Sequence, residues 1–216
     1  MIGIIIGVIG IAWILLLSEW LWRKKVVSAE FSRKFVHILT GTFIAFWPFM
    51  MDFWVIQLLS FGLLLVVFLS MKLHIFKSIH GVPRQTYGEV LFPVGVAIAA
   101  TFAQSEWVYT AAILHLSLAD GFAALIGSRH IKKHGYKILG QYKTIVGTFV
   151  FYIISLSIII CVVVFDSVHY QAVGASLIFW LPLAATLVEN VAVYGTDNLL
   201  VPVLVIGVLN SLQTVG

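Results

Sequence analysis

The chain has 216 residues, of which 61% are hydrophobic and 10% are charged, and its formal net charge at pH 7 is +4. Soluble domains carry about 25% charged residues, so the composition excludes a water-soluble globular protein and predicts a polytopic membrane protein. A single cysteine, Cys161, excludes a disulfide framework and a cysteine-rich metal site. The length leaves no room for a separate soluble domain, so we expect one integral-membrane domain over 1–216 that does not bind nucleic acid.

The apolar runs, taken in chain order, predict the architecture. They cover residues 2–20, 36–51, 53–71, 90–104, 107–128, 146–165, 172–189 and 198–213. Because a spanning helix needs about 20 apolar residues, the pattern predicts an all-α membrane bundle of about eight transmembrane helices. The first run has no basic segment before it and no small-residue cleavage site, so 1–22 is expected to be a retained anchor helix. Gly3, Gly7 and Gly10 give that helix a face for close packing.

The basic residues predict how the bundle is oriented. All 13 Lys and Arg fall in three loops, which lie after the first, third and fifth apolar runs. Because Lys and Arg are retained on the cytoplasmic side during insertion, these loops are expected in the cytoplasm and both termini outside. The short turns that carry Asp52, Glu106 and Asp166 then lie outside, where we expect solvated carboxylates.

Asp120 is the most informative single residue, because it lies inside the fifth apolar run. If that helix ends near Ser128, the carboxylate is about 12 Å from the helix end, at 1.5 Å per residue. An ionisable group at that depth is costly and is by default a candidate for function. Ala124, Gly127 and Ser128 share its helical face and leave room for a neighbouring helix or a phosphate group. A protonated or helix-paired structural Asp is the alternative.

Three nitrogen donors, Arg33, Lys34 and His37, crowd the start of the second apolar run. Spacings of three and four residues place them on one helical face. Arg33 and Lys34 could extend to anionic lipid heads. His37 lies about one turn deeper and favours an anionic ligand.

Two glycine-containing loops, at residues 83–95 and 135–147, resemble phosphate-binding loops. Glycines let backbone N–H groups converge on an oxyanion, and basic and hydroxyl side chains add charge and hydrogen bonds. The candidate phosphate-binding residues are Arg33, Arg84, Thr86, Gly127, Gly140, Lys143, Thr144 and Gly147. Neither loop is a Walker motif, so ordinary turns are the alternative interpretation.

Carboxylates gather at the same predicted cytoplasmic boundary as these cations. The acidic residues are Glu89, Asp120, Glu189 and Asp197, with Asn198 beside the last of them. Carboxylates that hold Mg²⁺ beside Lys and Arg that hold phosphates are typical of nucleoside triphosphate sites. The sequence therefore predicts a one-sided site for a nucleotide and a metal ion.

Five motifs between residues 33 and 202 carry a family resemblance. They read Arg33-Lys34-x-x-His37, Arg84-x-Thr86-Tyr87-Gly88-Glu89-x-x-Phe92-Pro93, Ala119-Asp120-x-x-Ala123-x-x-x-Gly127, Gly140-x-x-Lys143-Thr144-x-x-Gly147, and Glu189 followed by Gly195-x-Asp197-Asn198-x-x-x-Pro202. In this order they resemble the CTP-dependent lipid-alcohol kinases, which include dolichol, phytol, farnesol and diacylglycerol kinases. The phosphatidate cytidylyltransferases are similar more distantly.

The resemblance implies that the γ-phosphoryl group of CTP is transferred, with Mg²⁺, to the hydroxyl of an alcohol dissolved in the membrane. It implies roles in catalysis for Lys34, His37, Glu89 and Asp120. It implies metal ligands among Asp120, Glu189, Asp197 and Asn198. One departure concerns Val146, since relatives often carry Glu immediately before the glycine that corresponds to Gly147.

The identity of the substrate and two other functions remain open at this point. The compact chain favours an isoprenoid alcohol, with diacylglycerol as the alternative substrate. Transfer of CMP to a lipid phosphate is a second possible reaction. A transporter or flippase is disfavoured, because such proteins usually hold polar sites near the membrane midplane between repeated halves. We expect the protein in a bacterial cytoplasmic membrane with its active site facing the cytoplasm.

Overall fold

A computed structural model describes residues 2–73, 87–170 and 174–213. Its helices are α1 (Ile2–Arg23), α2 (Ala29–Ala45), α3 (Phe53–Leu73), α4 (Gly88–Phe102), α5 (Glu106–Leu114), α6 (Asp120–Ser128), α7 (Ile131–His134), α8 (Ile145–Phe165), α9 (Ser167–Tyr170), α10 (Gly174–Val191) and α11 (Asp197–Gln213). A π-helical segment, His115–Ala119, joins α5 to α6, and a 3-10 turn, Trp47–Phe49, follows α2. Two short strands, β1 (Gly135–Ile138) and β2 (Gln141–Thr144), precede α8.

Each predicted apolar run contains a helix, which confirms a predominantly helical polytopic fold. Within the described residues, five helical stretches are long and apolar enough to cross a membrane: Ile2–Arg23, Phe53–Leu73, Glu106–Ser128, Ile145–Phe165 and Gly174–Val191. The helices α4 and α11 are apolar but shorter. The count of eight spans and the placement of both termini therefore stay predictions.

The stretch Glu106–Ser128 forms the centre of the bundle. Of its 18 most apolar consecutive residues, 61% are buried inside the protein, against 17% for the corresponding residues of α1. The helices α2, α4, α8 and α11 all pack against it, whereas α1 and α3 expose large apolar side chains such as Trp13 and Phe61 on their outer faces. The helix that carries Asp120 is thus enclosed by protein, while the peripheral helices present surfaces suited to lipid.

Small residues bring α2 very close to this central helix. A Cβ added to Gly41 would lie 2.2 Å from Cβ of Ser117, and one added to Gly121 would lie 2.3 Å from Cγ1 of Ile38. Larger side chains at either glycine would push the two helices apart. Close packing therefore fixes the distance between α2 and the chain around Asp120.

The predicted packing face of α1 is confirmed by similar contacts. A Cβ added to Gly10 would lie 2.6 Å from the ring of Phe43, and Gly7 lies against the ring of Trp47. The helix α2 is therefore held between α1 on one side and the central helix on the other.

The π-helical segment immediately before Asp120 is not apparent in the sequence. Within it the N–H of Asp120 donates to the carbonyl of His115, five residues earlier. Ring Nδ1 of buried His115 lies 2.8 Å from the carbonyl oxygen of Ala111, and Nε2 lies 2.7 Å from Oγ of Ser155. A π turn shifts the face on which the following residues lie and is frequent at functional sites.

Within the part of the chain that the structure describes, the hairpin β1–β2 departs from an all-α fold. The strands pair antiparallel, with Gly135 opposite Thr144 and Ile138 opposite Gln141. Leu139 and Gly140 form the turn with φ of 46° and 85°, the positive values that a tight two-residue hairpin requires. The strands are four residues long, too short for a clear alternating pattern, and leucine at a positive-φ position gives no turn signal.

Asp166, at the opposite end of the bundle from Asp120, is not the solvated carboxylate that we expected. It is 8% exposed. Its carboxylate accepts hydrogen bonds from Nδ1 of His169 at 2.6 Å and from Nε2 of Gln213 at 3.3 Å. The turn after α8 is thereby tied to the end of α11, a long-range pairing that sequence spacing does not reveal.

Candidate active site

A cavity of about 250 Å³ opens at one end of the bundle. We define its polar end by Lys34, His37, Asp120, Lys143, Glu189 and Asp197. We define its apolar arm by Ile11, Leu15, Val36, Leu63, Val67 and Phe92. The polar end draws on the first half of α2, the beginnings of α6 and α11, the end of α10 and strand β2.

Three carboxylates meet at the polar end. Asp120, Glu189 and Asp197 each place a carboxylate oxygen within 4.8 Å of the others. Asn198 follows directly, and its buried Oδ1 has no hydrogen-bond partner among the described residues, whereas its Nδ2 donates to the carbonyl of Gly88 at 3.0 Å. Carboxylate and amide oxygens are the ligands that Mg²⁺ and Ca²⁺ prefer, so this set fits a divalent cation.

Two lysines balance these carboxylates. Nζ of Lys34 lies 3.3 Å from Oδ2 of Asp120, and the two side chains are only 12% and 13% exposed. Nζ of Lys143 binds the carboxylate of Glu189 and also donates to the Glu189 backbone carbonyl at 2.9 Å. Ionised groups this far from water are stable only when they are paired.

The charge of Lys143 is secured by its surroundings. Burial by itself disfavours the ammonium, but the neighbouring carboxylates, Glu189 foremost, outweigh burial and raise the pKa of Lys143 above its ordinary value. Lys143 therefore remains a cation across the neutral and mildly alkaline range.

His37 holds Asp120 in place. Its Nε2 lies 2.8 Å from the carbonyl oxygen of Leu116 and 3.5 Å from Oδ2 of Asp120. Because a carbonyl oxygen can only accept, Nε2 carries the hydrogen and also faces the carboxylate as a donor. The ring also makes a T-shaped contact with Phe92, with centroids 5.0 Å apart, so the orientation of the imidazole is fixed from two sides.

A polar network that the sequence analysis missed positions Lys143 and Glu189. The hydroxyl of Tyr136 on β1 bonds to Oγ1 of Thr148 at 2.5 Å and to the side chain of Asn190. Oγ1 of Thr148 lies 3.0 Å from Oδ1 of Asn190. The network ties the hairpin to α8 and α10. A polar residue beside Glu189 in an otherwise apolar helix was the one available signal.

Thr144, Gly127 and Gly147 line the cavity and also pack two helices together. Oγ1 of Thr144 caps α8 by accepting from the N–H of Gly147 at 3.0 Å. A Cβ added to Gly127 or Gly147 would lie 2.6 Å or 2.9 Å from this oxygen. These residues therefore have a structural role in addition to the predicted one.

The remaining predicted site residues divide into three groups. Arg33 and Glu89 line the same cavity. Gly140 lies in the hairpin turn, where a Cβ added to it would meet no described atom within 4 Å, and it does not line the cavity. Arg84 and Thr86 lie outside the described residues.

The fold and the site define a polytopic membrane protein with a buried ionic pocket at one end of its bundle. Phytol kinase from Synechocystis sp. is 29% identical to this chain over 195 residues, which cover 88% of this chain and 82% of the relative. No known family profile matches the chain, and no solved structure matches it. The resemblance to the lipid-alcohol kinase family that the five motifs carry is thus confirmed.

Proposed function

We propose that the chain is a kinase that transfers the γ-phosphoryl group of CTP to the hydroxyl of a lipid alcohol in the membrane. The observation that carries the proposal is that a charged surface, the polar end, and a hydrophobic surface, the apolar arm, line the same cavity. Its polar end has the cations and carboxylates that a nucleoside triphosphate and its metal need, and its apolar arm suits a hydrocarbon chain. The similarity to a phytol kinase supports the same reaction class.

Mg²⁺ fits the polar end. Asp120, Glu189, Asp197 and Asn198 would hold the ion, since three carboxylates converge there and the buried amide oxygen lacks a partner within the described part of the chain. The bound ion would neutralise charge on the phosphates. Glu189 and Asp197 supply carboxylates in a chain that has Val146 where relatives often carry Glu.

The basic side chains that line the cavity have two tasks in this proposal. Lys34, Lys143 and Arg33 would bind phosphate oxygens, while His37 keeps Asp120 oriented. In the transfer, the alcohol oxygen bonds to the γ-phosphorus, the bond from that phosphorus to the bridging oxygen breaks, and CDP leaves. The hydroxyl proton passes to a carboxylate that lines the cavity, either Asp120 of the polar end or Glu89.

We place the site on the cytoplasmic side of a bacterial cytoplasmic membrane. Lys34 and Lys143 of the polar end belong to two of the three basic segments of the sequence, and such segments are retained in the cytoplasm. A cytoplasmic site has direct access to nucleotides.

A substrate panel tests the proposal. The purified protein with Mg²⁺ is offered phytol, farnesol, a polyprenol and diacylglycerol, each with CTP, ATP, GTP or UTP. We expect a phosphorylated isoprenoid alcohol with CTP as the best donor, and no product after chelation with EDTA until Mg²⁺ is restored. Equal use of ATP would refute the preference for CTP, and the absence of any phosphorylated alcohol would refute the kinase.

A further inference from the structure

The cavity continues from the polar end into the interior of the bundle as the apolar arm. Ile11 and Leu15 are one turn apart on α1, and Leu63 and Val67 are one turn apart on α3. Side chains spaced by four residues lie on one helical face. Two peripheral helices therefore turn matching apolar faces toward the same space.

The depth of the arm follows from how α1 runs beside α2. Oγ of Ser18 lies 2.6 Å from Oγ of Ser32, and Gly10 packs on Phe43. Because the two helices run in opposite directions, Ile11 lies beyond the level of His37, farther from the polar end than Leu15 is. The arm therefore extends away from the charged groups along the length of the bundle.

The arm is bordered by α1 and α3. The helix α1 packs mainly on α2, and α3 packs mainly on α4. Among the described residues, no comparable packing joins α1 to α3. Their outward residues, such as Ile9 at 59% and Leu65 at 58% exposure, are apolar. A hydrocarbon chain dissolved in the bilayer can approach this side without crossing a polar surface.

We propose that the apolar arm binds the hydrocarbon chain of a single-tailed alcohol, which enters between α1 and α3 and brings its hydroxyl to the polar end. This inference rests on the proposed kinase function. The whole cavity measures about 250 Å³, below the range of roughly 300 to 1,000 Å³ that is usual for small-molecule sites. This volume is shared with the polar end, so the arm has room for the part of one chain nearest the hydroxyl and not for a second chain beside it, as in diacylglycerol, while the remainder of the chain stays in lipid.

Phe92 marks the boundary between the two regions. Its ring is 7% exposed, lines the cavity and makes a T-shaped contact with the His37 ring. Carbon nearest the hydroxyl would lie against Phe92, and the next carbons would lie among Leu15, Val67 and finally Ile11 and Leu63. Filling the deep positions should therefore shorten the chain that the site accepts.

The test compares two lining variants with two matched controls. Ile11→Trp and Leu63→Trp place a large ring in the deep part of the arm, whereas Ile9→Trp and Leu65→Trp place the same ring on the outer faces of the same helices. The values of kcat/KM are measured with geraniol and with the longer phytol. We expect kcat/KM for phytol to fall about tenfold or more in the lining variants, with geraniol much less affected, and no change in selectivity in the controls.

The possible outcomes distinguish failure of the proposed hydrocarbon-binding site from failure of the proposed kinase activity. An active wild-type protein whose selectivity is the same in lining and control variants would overturn the site and leave the kinase standing. A wild-type protein that phosphorylates no alcohol would overturn both. If the lining variants do not fold, a long-chain alcohol with a diazirine in its chain is cross-linked to the wild-type protein. Labelling of α1 and α3 that excess phytol removes is expected, and phytol-sensitive labelling elsewhere, or none, would overturn the site.

Discussion

Asp120 shows how this protein keeps a carboxylate within its helical bundle. The side chain is 13% exposed, and Lys34 and His37 both face Oδ2. An unpaired charge in such a place costs several kcal/mol. Pairing with Lys34 offsets the free-energy cost of burying the carboxylate. It does not explain why both charges are present, since an apolar pair of similar size is often as stable. A function for the charges accounts for them.

A substitution at Asp120 can test the role of the negative charge apart from the volume of the side chain. Asp120→Asn retains the volume and an oxygen that accepts from His37, but it removes the charge. We expect turnover to fall about 10²-fold or more, equivalent to roughly 3 kcal/mol. The melting temperature should also fall, because Lys34 loses its partner. The control is Asp52→Asn, at an exposed carboxylate before α3, which should change neither quantity.

A double variant distinguishes catalysis from folding at Asp120. In Asp120→Asn with Lys34→Gln, the unpaired cation is gone, so part of the lost thermal stability should return while turnover stays low. Near-wild-type turnover in Asp120→Asn would show that the carboxylate only supports packing and that the site lies elsewhere.

Lys143→Gln tests the proposed binding of the nucleotide phosphates by Lys143. Its ammonium binds Glu189 and lines the cavity. Cations contact phosphates in the ground state as well as in the transition state, so we expect a raised KM for CTP together with a lower kcat. Lys137→Gln, on the exposed neighbouring strand of the same hairpin, is the control in steady-state kinetics with CTP varied. Unchanged kinetics in Lys143→Gln would remove Lys143 from the phosphate site.

At the scale of secondary-structure elements, helix spacing determines whether the charged residues meet. Lys34 and His37 lie on α2, and Asp120 begins α6 directly after the π-helical segment. Gly41 and Gly121 allow these two elements to approach. The ion pair therefore depends on Gly41, seven positions after Lys34, and on Gly121, the neighbour of Asp120.

Gly41→Ala tests this dependence. The added methyl group would lie 2.2 Å from Cβ of Ser117, so α2 must move away from the central helix. Overpacking of this kind costs about 1–3 kcal/mol, and we expect a lower melting temperature with reduced turnover. Gly62→Ala, on α3 where no described atom lies within 4 Å of the new carbon, should leave both unchanged. Wild-type stability and turnover in Gly41→Ala would contradict the packing account.

The sequence was sufficient to predict the helices but not the details of the site. Apolar runs long enough to bury a helix are local features, and each contains a helix. The approach of Asp120, Glu189 and Asp197 was predicted only as a shared boundary, because which helices are neighbours depends on long-range packing. The π-helical segment and the Tyr136–Asn190 bond depend on tertiary contacts that no local pattern encodes.

At the scale of the whole molecule, charge is distributed unequally between the two ends. Among the described residues, the polar end of the cavity, with Lys34 and Lys143, lies at one end, and the buried Asp166 with its partners His169 and Gln213 lies at the other. In a transporter of the repeated type, polar groups would be expected near the middle. The observed distribution suits an enzyme that meets a soluble substrate on one side of the membrane.

Cysteine labelling tests this orientation. In a Cys161→Ser background, Val168→Cys introduces a thiol where the native residue is 88% exposed, and Lys137→Cys introduces one on the exposed side of the hairpin. We expect an impermeant maleimide to label Val168→Cys in intact cells and Lys137→Cys only after the membrane is permeabilised. Labelling of both positions in intact cells would contradict the predicted topology.

The fate of the phosphorus atoms of CTP tests the central claim most directly. The purified protein is incubated with phytol, phosphatidate, Mg²⁺ and CTP labelled at either the γ- or the α-position, and the lipid extract is counted. The proposed kinase predicts that γ-label enters the lipid as a phosphorylated alcohol and that α-label does not. Entry of α-label into the lipid would instead establish transfer of CMP and contradict the account.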